Sequence, residues 1–310
     1  MTTRRRSGRG DCGAAVVLAM LLAALAAAVA ATVYADQQRW SRNVEHRRDQ
    51  VQAQALAMAG VQWARQVLYD DARTTVYDHL GEPWAVALPP IPLENGEIRG
   101  AIVDAQGRLN LNALGEGGTT AGIERGRIAR LFAQRGGPAA ALDAIADWID
   151  TDGAPRANGA EDAWYLAQPM PSLTANAPVV RAAEIAAVRG VTPAVLAAVL
   201  PFVSALPVGT PTNVNTASPE VLAAIVVNLP ADGLATLLAD RARKPFTTIA
   251  EFRARLPQGA SIAGDEALGV ASSHFYVTVE ARQGTTRARA RALLRRGGAE
   301  WPAIVWQIVE

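Results

Sequence analysis

Ala14 to Tyr34 is a 21-residue run of apolar and small residues broken only by Thr32. As a helix it rises about 31 Å, enough to cross a bilayer core of about 30 Å. From Asp36 to Asp71 the pattern turns amphipathic with no proline and no loop signal, and Leu56, Ala59 or Gly60, Trp63 and Val67 recur at helical spacing. The spacing predicts one helix over 14–71, with 14–34 in the membrane and 36–71 as the spine of a domain. A Pro-rich link (Pro83, Pro89, Pro90, Pro92) follows.

Beyond the link the period changes. Gly96 to Asp104 reads as a strand, Ala105 to Arg108 as a turn, and Leu109 to Asn112 alternates as a second short strand. From Ile123 to Leu268 the signal is mostly helical: Ile128, Leu131 and Phe132, then Leu142, Ile145 and Ile149, with Gly136-Gly137-Pro138 as the break. Alternation returns in His274 to Ala281 and in Arg287 to Ala292 around a Gln283-Gly284-Thr285 turn, and Ile304 to Ile308 closes as a further strand. The pattern predicts an α+β protein: a long helix, an antiparallel sheet over 72–112 and 271–310, and an all-helical insertion over 113–270.

Charge sets the compartment and narrows the chemistry. Arg4, Arg5, Arg6 and Arg9 precede the apolar run, so the short head is expected to stay cytoplasmic and the rest to lie outside. A signal peptidase site at Ala28-Val29-Ala30 or near Ala35 is an alternative that would release the chain. With 30 Lys and Arg against 29 Asp and Glu, there is no global attraction to nucleic acid. The lone Cys12 excludes an intrachain disulfide, and only His46, His79 and His274 are available for base or ligand work. No nucleophile elbow, His-Glu-x-x-His or phosphate loop occurs, so no enzyme is expected.

A basic leader ending in Gly13, followed by an apolar helix that runs on into an amphipathic one, resembles the type IV pilin and pseudopilin class. The resemblance implies a leader of residues 1–13, cleavage by prepilin peptidase between Gly13 and Ala14, and methylation of the new amino terminus. Most of that class carries glutamate at the fifth mature position, whereas here the position is Leu18. Together with the large helical insertion, this departure is similar to the general secretion pathway protein K family, the minor pseudopilins of the type II secretion system. Membership would imply a single-pass inner-membrane protein with a periplasmic globular part, placed at the tip of the pseudopilus to start or cap it. Its expected partners are the minor pseudopilins of types I and J.

Asp147, Asp150, Asp152, Glu161 and Asp162 crowd one loop among glycines and a proline. Such a loop suits either a solvated turn or Ca²⁺, which accepts six to eight oxygen ligands in irregular geometry. Set on an EF-hand template from Asp150, the loop has Ala154 and Pro155 where an acid and a glycine are required. Resemblance to the protein K family, where this loop is associated with calcium, implies Asp150, Asp152, Glu161 and Asp162 as ligands of a structural Ca²⁺.

Two stretches, Glu184 to Thr192 and Asn213 to Phe252, resemble degenerate helix-hairpin-helix modules of competence-type DNA receptors. Each lacks the Gly-hydrophobic-Gly hairpin that exposes backbone N–H groups to a phosphate. Arg287, Arg289 and Arg291 share one strand face without interleaved aromatics, and a solvated face paired with Glu280 is expected there. Nucleic acid is therefore not an expected partner, and a membrane-anchored DNA receptor is the alternative reading.

Overall fold

The computed structural model describes residues 11–115, 117–298 and 300–310, so Arg4, Arg5, Arg6 and Arg9 of the expected leader lie outside the described residues. Helix α1 (Asp11–Asp71) is continuous over 61 residues, or about 92 Å of rise. Among the described residues, none of the apolar window in its amino-terminal half is buried.

Its distal half is the spine, but the buried stripe is Ala53, Ala57, Val61, Ala64 and Leu68, not the expected Leu56–Gly60–Trp63–Val67 set. One residue of displacement turns a helix face by about 100°. Small residues point inward because the helix lies close on the sheet: a Cβ at Gly60 would come within 2.6 Å of Val279 Cγ1. The larger Leu56, Trp63 and Val67 line the rim, where they meet Ile91 and Ile98 along an apolar groove.

Strands β1 (Leu88–Leu93) and β2 (Gly96–Asp104) form a hairpin. The first of them was expected to be only a link. Three prolines lie in it because it is the sheet edge, where missing N–H donors cost no ladder bond. The chain then leaves the sheet. Leu109 to Asn112 does not continue as a strand: β3 (Leu109–Asn110) is two residues long, and Leu111–Gly115 is a 3-10 turn.

The insertion holds α2 (Thr119–Gln134), α3 (Ala140–Ile149), α4 (Asp162–Leu166), α5 (Pro193–Val199), β4 (Val203–Ser204), β5 (Thr212–Asn213), α6 (Pro219–Ile225), α7 (Ala231–Arg243), α8 (Ile249–Ala254) and β6 (Leu268–Gly269). It is not wholly helical, since β3 pairs with β4 and β5 with β6, each in parallel. Thr192, Ser218 and Thr248 cap α5, α6 and α8 by accepting from the N–H three residues on. The expected helical stripes do form its core, with Ile128, Leu131, Phe132, Leu142, Ile145 and Ile149 buried together.

Strands β7 (His274–Gln283), β8 (Thr286–Gly297) and β9 (Glu300–Val309) complete an antiparallel sheet of order β1-β2-β7-β8-β9. Phe275, Val277 and Val279 of β7 and Ala288, Ala290, Ala292 and Leu294 of β8 face α1. On the opposite face Glu280 accepts from Arg99 Nε (2.8 Å) and Arg289 Nε (2.9 Å), and Arg291 pairs with Glu310. That face is the expected solvated array of ion pairs, each worth about 0–1 kcal/mol.

Candidate functional site

Three places on this frame carry the residues singled out from the sequence: the bare half of α1, the acidic loop, and the two hairpins.

Gly13 and Ala14 lie in the first turns of α1 and are exposed, and a Cβ at Gly13 would meet nothing. Leu18 is also exposed, on a helix surface offering only apolar side chains. The small residues Ala23, Ala24, Ala26 and Ala27 leave that surface open to close approach by another helix.

The acidic loop joins α3 to α4. Asp147, two residues before the end of α3, is fully buried and accepts from Arg156 N (3.1 Å) and Arg156 Nη1 (2.6 Å). The same Nη1 donates to Asp150 Oδ2. Gly159 lets the returning chain press on that pair, because a Cβ there would overlap the Asp147 carboxylate. Asp150, Asp152 and Glu161 each bring one carboxylate oxygen within 4.8 Å of the others. Asp150 Oδ1 and both oxygens of Glu161 are buried with no hydrogen-bond partner among the described residues. Burial and the surrounding carboxylates of Asp147, Asp150, Asp152 and Asp162 push Glu161 up to about 7.

Buried carboxylate oxygens without donors are costly unless a cation meets them. An oxygen-only set of this kind is the donor chemistry of a hard divalent ion. The fit covers three of the four expected ligands. Asp162 is not in this cluster, and its Oδ1 accepts from Thr174 N (2.8 Å) and Thr174 Oγ1 (2.6 Å), which hold its pKa below the usual carboxylate range. It ties the loop to the segment after α4. Trp164 and Tyr165 are also engaged, Trp164 beneath the Arg189 guanidinium and Tyr165 edge-on to Trp148.

At the hairpins the groups that would meet a phosphate have other work. Asp232 sits in the first turn of α7, where the helix dipole would otherwise attract an anion, and accepts from Gly233 N (2.9 Å). Arg189, beside the other hairpin, donates to Gly159 O (3.1 Å).

A second acidic group was not anticipated. Asp71, Asp78 and Glu82 meet behind the end of α1, where Arg296 Nη1 donates to Asp71 Oδ2 (2.6 Å) and Arg296 Nη2 to Asp78 Oδ1 (2.5 Å). Glu82 accepts from Thr75 Oγ1, His79 N and Trp84 Nε1. Burial and the neighbouring Glu82 raise Asp71 to about 6 against the pull of Arg296. Arg296 lies 225 residues from Asp71 along the chain, a separation that no local pattern spans. These acids already have partners and act as a joint.

The comparisons with known proteins agree on one family. The family model described as type II secretion system protein K matches residues 107–208 through its first domain and 212–271 through a second. The type II secretion system protein K of Pseudomonas aeruginosa is 33% identical over 302 residues, covering 93% of this chain and 90% of the relative. That of Klebsiella pneumoniae is 31% identical and covers 81% and 82%. Among solved structures, a chain of the GspK-GspI-GspJ complex from the enterotoxigenic Escherichia coli type 2 secretion system superposes with a TM-score of 0.75 at 24% identity, covering 87% of this chain and 99% of that one.

Proposed function

Because this chain belongs to the type II secretion system protein K family, we propose that it works as a minor pseudopilin, anchored in the inner membrane by α1 and carrying residues 36–310 in the periplasm. The observation that carries the reading is α1 itself: one unbroken helix, bare and apolar through Tyr34, then roofed by the sheet from Ala53 onward. A helix of that design holds a folded domain at a fixed height above the bilayer. The role is structural rather than catalytic.

The cut falls between Gly13 and Ala14, at the boundary of charged head and apolar run. Leu18 then stands where a carboxylate would neutralise a neighbour's terminal ammonium within the membrane. A subunit without that carboxylate starts or caps a filament better than it extends one. Its partners are the minor pseudopilins of types I and J, the pair solved together with the structural relative.

The acidic loop binds Ca²⁺ through Asp150, Asp152 and Glu161, with Asp162 as a tether. The unpartnered oxygens of Asp150 and Glu161 support this assignment. Bound there, the ion would supply charge neutralisation and hold the end of α3 to the start of α4.

The test is the mature amino terminus, read by intact mass and terminal sequencing of protein from membranes of hosts with and without prepilin peptidase. A methylated start at Ala14 that depends on the peptidase is expected. A start near Asp36 would make this a secreted soluble protein and end the filament reading, and an uncut chain would favour an anchored receptor.

A further inference from the structure

Five carboxylates crowd the α3–α4 loop and the helix ends that flank it, yet they are not equivalent. Asp147 is fully buried, and the Arg156 guanidinium is its ion-pair partner. Arg156 Nη1 also holds Asp150 Oδ2, and Arg156 N closes on Asp147 Oδ2. The Gly159 backbone packs against the same carboxylate, leaving no room beside it. Asp162 is spent on Thr174. What remains is the group of Asp150, Asp152 and Glu161, each with a carboxylate oxygen within 4.8 Å of the others, and the unpartnered oxygens in it are Asp150 Oδ1 and both of Glu161.

The geometry points to Arg156 as a built-in counter-cation that divides this loop, reserving Asp147 and one side of Asp150 for itself and restricting the loop to a single hard divalent ion on the far side of Asp150. This rests on the calcium reading above and goes beyond it, because it fixes the stoichiometry and gives a positively charged residue a part in a cation site. The physical reason is charge. With Arg156 in place, the remaining group has three carboxylates for one divalent ion, and the buried Asp147 is already compensated. Without Arg156 the loop holds a fully buried, unpaired Asp147 beside a two-sided Asp150, an oxygen set that a second ion would fill.

The experiment titrates full-length protein in detergent with CaCl₂, using calorimetry and metal analysis after gel filtration, alongside thermal melts in EDTA and in calcium. The wild type is expected to take one Ca²⁺ per chain, and Arg156→Lys, which keeps the charge, also one. Arg156→Gln is expected to melt lower in EDTA, to take a second Ca²⁺, and to recover most of its lost melting temperature when calcium is added. Glu161→Gln is expected to weaken binding at least tenfold without lowering the melt in EDTA. A wild type that binds two ions would show that the guanidinium yields to metal and would overturn the proposal. So would an Arg156→Gln chain that binds one ion and gains no more from calcium than the wild type, since the arginine would then only brace the loop. A wild type that binds none overturns the calcium reading and this proposal with it, and is recognised from the wild-type titration alone.

Discussion

Gly60 shows how a single missing side chain sets a packing distance. Its absent Cβ lets α1 settle against Val279 and Ile98, side chains that cannot easily retreat because they are themselves held between helix and sheet. Gly60→Val is expected to cost about 1–3 kcal/mol, seen as a lower denaturation midpoint in urea, because overpacking here outweighs the gain in helix propensity. Asp71 makes a second residue-scale prediction. Its folded pKa of about 6 lies above the ordinary carboxylate value, so the native state binds more protons than the unfolded chain between about pH 4 and 6. The contribution of Asp71 to stability is therefore full below its unfolded pKa and is lost as pH rises through 6. Asp71→Asn, which still accepts from Arg296, is expected to show a flatter melting curve against pH between 4.5 and 7.5 than the wild type. Equal slopes would mean that Asp71 is not the group responsible.

At the scale of elements, what was legible in the sequence followed from period and length. The 21-residue apolar run, the alternation of His274 to Ala281, and the stripes Ile128–Leu131–Phe132 and Leu142–Ile145–Ile149 each carry their structure locally, and each is found as helix or strand. Where the reading missed, partners distant in sequence had decided. The spine face was displaced by one residue because the alanine-rich β8 favours small residues opposite it, and hydrophobic size alone selected Leu56 and Trp63. The proline stretch is a strand because β2 pairs with it. Asn110 and Asn112 are the polar positions of the alternating stretch Leu109 to Asn112, yet both are buried and use their amides as the backbone would: Asn110 bonds both N–H and C=O of Leu206, and Asn112 both N–H and C=O of Val179. In the acidic loop, composition marks five carboxylates and no more; only the folded chain brings Asp150, Asp152 and Glu161 together and bonds Asp162 to Thr174.

The same long-range logic joins the insertion to the sheet. Asp104, the last residue of β2, accepts from Gln106 N (2.7 Å), Ser272 Oγ (2.6 Å), Thr216 Oγ1 (2.5 Å) and Asn213 Nδ2 (3.2 Å), tying both ends of the insertion to one carboxylate. Asp104→Ala would leave several buried donors unsatisfied, at about 1–3 kcal/mol for each. Denaturant unfolding is expected to show a large loss of stability, with the insertion freed first under limited proteolysis. Cleavage spread evenly over the chain would place the joint elsewhere.

For the whole molecule, two independent features bear on where it sits in a filament. One is Leu18, which under the proposed cut after Gly13 stands where an extending subunit would offer a carboxylate to its neighbour's ammonium. The other is bulk, since the family match spans residues 107–208 and 212–271, more than half the chain, in addition to the five-stranded sheet. The two can be separated. Leu18→Glu supplies the missing charge partner within the membrane without touching any buried residue of the folded domain, since Leu18 is exposed on the bare half of α1. If bulk limits the chain to one end, sheared pseudopili from a host making Leu18→Glu are expected to contain the same small ratio of this chain to the major subunit as the wild type. A ratio that rises several-fold would locate the limit at the fifth position instead, and the insertion would then be free to serve cargo or channel contacts along the filament and not only at its tip.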